Sequence, residues 1–380
     1  MRWGSKSADS VSPAGVPVPD RDGATGNCST PLRVALVSRV RQNPYVSLLC
    51  KGLSQAAGID PSESDRFSVG WVWGHRRDVD VIHMHWLELF VVYSSWTRSV
   101  KRLASVILGL VAARALGISI VYTVHNVHQH EGRRRFLVMV ANTCMFALAN
   151  AVHVHNPDTG RAIRRSWRRS RRVHVIAHGN YVGAYPNDVS RSAARMTLGI
   201  PDDALVLLCL GRLRPYKGVE DLLQAFREVS DPRALLLIAG EAQEPGYISH
   251  LEEQATDSRV RLLAKYVADE DLQLYLNASD VSVLPYRHVT TSGAAILSFS
   301  FGVPIIAPRL GCFEALVGEG ERGYLYNTAG SEGLLWALRT ASQADLVAMR
   351  QSCLRYVATL DWATVAQKHA DVYRSIRLCE

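Results

Sequence analysis

Short runs of β-branched and apolar residues alternate, along nearly the whole chain, with longer stretches whose apolar positions recur at helical spacing. Residues 31–40 (PLRVALVSRV), 79–86 (VDVIHMHW), 118–126 (ISIVYTVHN), 151–156 (AVHVHN) and 173–179 (VHVIAHG) have the length and composition of buried strands. Between them, 45–57, 96–116 and 134–149 carry helical patterns. A polar segment at 185–203 interrupts the rhythm, which restarts with strands at 204–212, 234–240, 259–264, 281–286 and 303–308. Helices at 218–229, 269–277 and 292–301 separate these, and 331–377 is mostly helical. Strands that alternate with helices imply parallel sheets with crossover connections. The pattern predicts an α/β protein of two doubly wound, Rossmann-like domains with a hinge near 185–203. Ligands of such sheets bind outside the carboxyl ends of the strands, so two facing domains make a cleft.

Composition narrows the class. A length of 380 residues suits two or three domains, and 48% hydrophobic residues supply their cores. Seven scattered cysteines with no CxxC pair point to a reducing compartment rather than a disulfide framework or zinc ribbon. Residues 1–30 are rich in Ser, Pro, Gly and Asp and read as a disordered lead, not a signal peptide. The longest apolar stretch, near 103–116, contains Arg114 and is shorter than the ~20 residues of a membrane span. A soluble, cytoplasmic protein is expected. The net charge of +8 is concentrated in RAIRRSWRRSRR (161–172). That run is either a solvated helix face or a patch for anionic lipid with Trp167 at the interface, which would make the protein peripheral at the inner face of the membrane. No recognition motif accompanies the charge, so nucleic acid is not an expected partner.

Chemistry gathers at strand ends. GRLRPYKG (211–218) places Arg212 and Lys217 five apart after a strand, where both cations could reach one diphosphate. VTTSGAAILSFSFG (289–302) leads three hydroxyls, Thr290, Thr291 and Ser292, and then Gly293 into an apolar helix. A helix N-terminus offers unpaired N–H groups and positive potential, which favour an anion. An ordinary serine N-cap is the competing reading. Neither GxGxxG after the first strand nor GxxxxGK[ST] is present, so dinucleotide and P-loop sites lack support.

GRLRPYKGVEDLLQAF, LLLIAGE, YVADEDLQLYLNASDVSVLPY, SFGVPIIAP and GYLY, in that order over 204–326, resemble the C-terminal domain of GT-B glycosyltransferases of the GT4-like group. NPY (43–45), DVIHMHW (80–86), TVHNVHQHE (123–131) and HGNYVGAYPN (178–187) resemble its bacterial exopolysaccharide and β-mannosyltransferase-like subgroup. Residues 361–376 resemble the closing helix that crosses back onto the N-terminal domain. The resemblance implies a lead at 1–30, an acceptor-binding domain at 31–190, a nucleotide-sugar-binding domain at 191–360 and a returning helix at 361–380. It implies that Arg212 and Lys217 contact the donor diphosphate, that Tyr266 and Val267 lie near the base, and that Thr290, Thr291, Ser292 and Gly293 form the second phosphate contact. One departure stands out. Retaining members carry two glutamates eight apart, and the corresponding positions here are Val289 and Leu297. Glu314 or the 290–292 hydroxyls are then left to hold ribose and sugar, and stereochemistry stays open.

An inverting transfer needs a base for the acceptor hydroxyl. Glu131 is the first candidate, His125 the second and Glu88 the third; His125 also matches a histidine that contacts the donor sugar in related enzymes. The many imidazoles, His83, His85, His125, His128 and His130, lack HExxH or Cys/His spacing, so no metal and no cofactor are expected beyond the donor itself. Asp78-Val79-Asp80 spells DxD but starts a strand, and reads as a strand-leading turn. The expected function is transfer of a hexose from a nucleoside diphosphate sugar, GDP-mannose before UDP-sugars, to a lipid-linked or polysaccharide acceptor. A nucleotide-sugar epimerase of the same architecture and a non-catalytic sugar-nucleotide-binding subunit are the alternatives.

Overall fold

The computed structural model describes residues 30–126, 134–167, 169, 172–242, 244–328 and 332–377. Two six-stranded sheets organise them. The first contains β1 (Leu32–Val37), β2 (Ile59–Ser64), β3 (Val81–His85), β4 (Ser119–Val124), β5 (Ala151–Val154) and β6 (Val173–Val175). The second contains β7 (Leu205–Leu210), β8 (Ala234–Ala239), β9 (Val260–Leu263), β10 (Val281–Val283), β11 (Ile305–Pro308) and β12 (Gly323–Tyr326). Their orders are β2-β1-β3-β4-β5-β6 and β12-β11-β10-β7-β8-β9, and every pairing is parallel. This is the two-domain, doubly wound α/β architecture that the alternation predicts. Central strands such as SIVYTV and ALLLIA are buried at every residue, as strands covered by helices on both faces must be.

Two strands escape the hydrophobic pattern. β2 (IDPSES) is polar and contains Pro61, which an edge strand tolerates because one side of its backbone has no partner. β12 (GYLY) is four residues long at the other sheet's edge. The polar stretch that reads as a hinge is partly structured. Its helix Arg191–Thr197 packs on Leu272–Ala278, and the buried Arg195 guanidinium pairs with Asp280 at 2.8 Å and donates to Ala278 O.

The helix Trp362–Arg377 returns to the first sheet. Val365, Ala366, Ala370, Tyr373 and Ile376 share one core with Val34, Leu36, Tyr45 and Leu49. The approach to helix Tyr45–Ser54 is close enough that a Cβ on Gly52 would stand 2.8 Å from the Trp362 carbonyl oxygen. Asp80 of the DxD triplet accepts from Arg33 at 3.0 Å and Arg377 at 3.2 Å, which makes it a structural anion at a strand start. Among the described residues no helix is long and apolar enough to cross a membrane, and the five described cysteines are free.

Candidate functional site

Each sheet reverses its winding once, between β1 and β3 in the first and between β7 and β10 in the second. At such a switch point the flanking connections leave in opposite directions and open a crevice at the strands' carboxyl ends. The two crevices face each other across a single cleft of about 520 Å³. Gln42 and Asn43 enter it after β1, Trp86 after β3, Gly211, Arg212, Arg214, Tyr216 and Lys217 after β7, and Tyr286, Thr291, Ser292 and Gly293 after β10. Contacts cross between the domains at its edge. Arg212 donates to Gln42 Oε1, Asn156 Nδ2 donates to Thr290 O at 3.0 Å, and Tyr181 N donates to Ser300 Oγ at 3.0 Å.

The structure brings Arg212, Lys217, Tyr266, Val267, Thr291, Ser292 and Gly293 to this one cleft. Arg212 is exposed, while Lys217 is partly covered, with Nζ 5.3 Å from the Tyr286 ring centre. Burial pushes the Lys217 ammonium down to about 8, and the Arg214 and Arg212 charges push the same way. An anion docking there would relieve both penalties. The loop carrying Lys217 needs glycine where it turns: Gly218 has φ +66°, and a Cβ on it would lie 2.2 Å from the Pro285 carbonyl oxygen.

At the mouth of helix Gly293–Ser300 the hydroxyls divide their work. Ser292 Oγ accepts from Ala295 N at 3.2 Å, an N-cap. Thr291 Oγ1 is buried and has no hydrogen-bond partner. Thr291 borders both the cleft and a small 70 Å³ cavity beneath it, lined also by His155 and His178. Thr290 faces the other domain through its backbone oxygen and does not line the cleft. Glu314 lies on the exposed side of the short helix Phe313–Val317, outside the cleft lining, so it is not placed to hold ribose or sugar. Leu297, at one of the positions where retaining relatives carry glutamate, does line the cleft, and the acids there among the described residues are Glu241 and Asp269.

Glu131 lies outside the described residues, as do His128 and His130. Neither His125 nor Glu88 lines the cleft, although His125 backs the lining residue Trp86. The His125 ring stacks on Trp86 with centres 3.7 Å apart and planes 7° from parallel, and its Nε2 is 3.1 Å from His85 Nδ1. Burial, reinforced by neighbouring imidazoles, pushes the His125 pKa well below the usual histidine range and keeps the ring neutral. Burial also raises the Glu88 carboxyl, against opposing hydrogen bonds from its own backbone and Asn126. Trp86 itself is a site residue that the hydrophobic pattern does not single out. It adopts φ +47°, a left-handed conformation costly for an aromatic residue, immediately before the turn Leu87–Phe90. The strain presents its indole to the cleft.

The arginine run is less free than its sequence suggests. Trp167 is half-buried and packs against the first domain's core, its ring centre 5.1 Å from that of Phe146. Arg169 donates to Phe146 O and Ala149 O, closing the end of helix Arg135–Leu148. Arg161, Arg164 and Arg165 remain exposed.

Residues 204–343 match the family model for glycosyl transferases group 1. The GDP-mannose:glycolipid 4-beta-D-mannosyltransferase of Xanthomonas campestris pv. campestris is 28% identical over 306 residues, covering 77% of this chain and 79% of that one. Sucrose-phosphate synthase from Thermosynechococcus elongatus superposes with a TM-score of 0.71 at 19% identity, covering 92% of this chain and all of that one. HepE from Anabaena, solved with UDP-glucose, gives a TM-score of 0.71 at 18% identity over 90% of this chain and all of that one. At those identities the structural likeness speaks for the fold.

Proposed function

Starting from a chain that is a GT-B glycosyltransferase with a group 1 domain at 204–343, we propose that it transfers mannose from GDP-mannose to a lipid-linked glycan, with inversion. The observation that carries the donor side is the shared cleft. Arg212, Lys217, the unpartnered Thr291 hydroxyl and the N-terminus of helix Gly293–Ser300 all border the same space, and each favours a diphosphate. The choice of mannose rests on the Xanthomonas relative, whose donor is GDP-mannose and whose acceptor is a glycolipid.

In the proposed step the acceptor oxygen attacks the anomeric carbon and the bond from that carbon to the phosphate oxygen breaks. GDP leaves with the electron pair and its new charge falls among Arg212, Lys217 and the helix N-terminus. A base takes the acceptor proton. Leu297 in the cleft leaves no glutamate at that position to stabilise a retained configuration, which supports inversion. Glu88, two residues beyond the cleft-lining Trp86 and made more basic by burial, is the candidate base among the described residues, to be tested beside Glu131, while His125 backs the Trp86 wall. Exposed apolar residues support a lipid-linked acceptor. Val100, Leu108 and Val111 share the outer face of helix Trp96–Ala115, and Phe136 and Met139 lie on the adjacent helix Arg135–Leu148.

Thermal stabilisation by GDP, UDP, ADP and TDP tests the donor first, since a ligand selective for the folded state raises stability by about 2.7 kcal/mol at a hundred times its dissociation constant. Preference for GDP is expected, and indifference to all four would remove the donor site. Arg212→Ala and Lys217→Ala should each lower turnover of GDP-mannose by at least roughly tenfold, the loss of a charge-assisted hydrogen bond. Glu88→Gln should lower kcat with little change in KM, and an unchanged kcat would move the base elsewhere. An epimerised nucleotide sugar formed without acceptor, or bound nucleotide never released as GDP, would replace the transferase reading.

A further inference from the structure

On the face of the first sheet that carries the returning helix, three imidazoles from distant parts of the chain converge. His83 comes from β3, His153 from β5 and His369 from helix Trp362–Arg377. All three are fully buried, at 0%, 1% and 0% exposure. One ring nitrogen from each can be chosen so that the three lie within 4.8 Å of one another. The ring centres are 5.1 Å apart for His83 and His153, 4.6 Å for His153 and His369, and 5.7 Å for His83 and His369.

Hydrogen bonding leaves this cluster incomplete. Neither nitrogen of His153 has a partner, and His369 Nε2 has none, although its Nδ1 meets the Val365 carbonyl oxygen at 2.8 Å. Buried polar groups in folded proteins are almost always satisfied, so three orphaned ring nitrogens in one buried cluster call for a ligand. His83 differs, with Nδ1 2.7 Å from Tyr373 OH and Nε2 2.7 Å from Thr123 Oγ1. A ligand that takes one of its nitrogens leaves the other held by a hydroxyl, the outer-shell support that orients metal-bound histidines.

We propose that His83, His153 and His369 bind a borderline transition-metal ion of the zinc class, which fastens the returning C-terminal helix to the first sheet. With metal–nitrogen bonds of about 2.0–2.1 Å and ring centres about 1 Å farther out, a tetrahedral arrangement sets imidazole centres about 5 Å apart, matching the three observed separations. Neutral imidazole is a preferred ligand of zinc, copper and nickel but not of magnesium or calcium. Burial holds all three rings below the usual histidine range, so each is neutral and keeps one unprotonated nitrogen at neutral pH. Water or the Tyr373 hydroxyl completes the fourth position. None of the three lines the cleft, so the ion is structural and separate from the transfer chemistry. The spacing of these residues over 286 positions gives no sequence motif, which is why their sequence context carries no metal signature.

The test uses full-length protein without a histidine tag, grown with added zinc and dialysed. Elemental analysis should find about one equivalent of zinc per chain, and cobalt exchange should give the visible bands of a tetrahedral ion. Removing the ion with a strong chelator should lower the melting temperature, and zinc alone should restore it. H153Q and H369Q should each lose the metal, while a variant lacking the exposed His75, His250 and His288 should retain it. If H153Q and H369Q fail to fold, the cobalt spectrum and stoichiometry of the parent protein decide. A metal-free parent that zinc neither binds nor stabilises overturns the site, as does full zinc retention by folded H153Q and H369Q.

Discussion

Lys217 is where a single residue sets a measurable property of the proposed donor site. Its ammonium titrates near 8 in the free protein because burial, and then the Arg214 and Arg212 charges, disfavour the cation. A diphosphate binds the charged form, so binding must raise that pKa and be weakened wherever the free lysine is neutral. At pH 7 about nine lysines in ten are charged and at pH 9 about one in ten, so GDP affinity should fall about tenfold across that interval. Both ends lie above the phosphate's own titration near pH 6, and because the guanine base itself begins to lose a proton at the alkaline end, the Lys217→Arg variant separates the protein's part from the ligand's. Calorimetry or thermal shift with GDP checks it. Lys217→Arg keeps its charge throughout and should flatten the profile; an equally steep profile in that variant would transfer the titration to another group.

At the level of elements, helix Gly293–Ser300 separates stability from binding within two neighbouring hydroxyls. Ser292→Ala removes the cap on Ala295 N and should cost about 1 kcal/mol of folding stability, read by denaturant melts. Thr291→Val removes a hydroxyl with no protein partner, so stability should hold or rise slightly while GDP affinity falls about tenfold or more. Loss of stability without loss of affinity in Thr291→Val would make that hydroxyl structural. This helix was legible in the sequence because its cap chemistry and its apolar run are both local. The buried strands were legible for the same reason, since VALV (34–37), IVY (120–122) and ALLLIA are unbroken apolar runs within them. β2 was not, because an edge strand needs little apolar surface and IDPSES derives its structure from pairing with β1. Nor was Trp86, whose role comes from a left-handed turn and a stack on His125 rather than from any periodic position. Glu314 is exposed and off the cleft lining because proximity in sequence to the 290–293 turn does not fix which way a short helix faces.

For the whole molecule, the proposed lipid-linked acceptor demands that the first domain meet a membrane surface without crossing it. The outer face of helix Trp96–Ala115 shows Val100, Ala104, Leu108 and Val111 to solvent with Lys101 beside them. Helix Arg135–Leu148 packs next to it, adding Phe136 and Met139, and Phe146 of that helix meets Trp167 at the end of the arginine-bearing helix Pro157–Trp167. Apolar side chains thus adjoin a helix whose Arg161, Arg164 and Arg165 are exposed, the combination that holds a protein on an anionic interface. Each arginine near such a surface contributes about 1 kcal/mol, so Arg164→Ala with Arg165→Ala should weaken co-sedimentation with anionic vesicles about thirtyfold. Leu108→Gln should weaken it on anionic and neutral vesicles alike, whereas the arginine pair should matter only on anionic ones. Salt should reduce the arginine contribution and spare the apolar one, since only the former is screened. Equal binding by all these variants would detach the enzyme from the bilayer and turn the search toward a water-soluble glycan acceptor, leaving the diphosphate site at Arg212, Lys217 and Thr291 untouched.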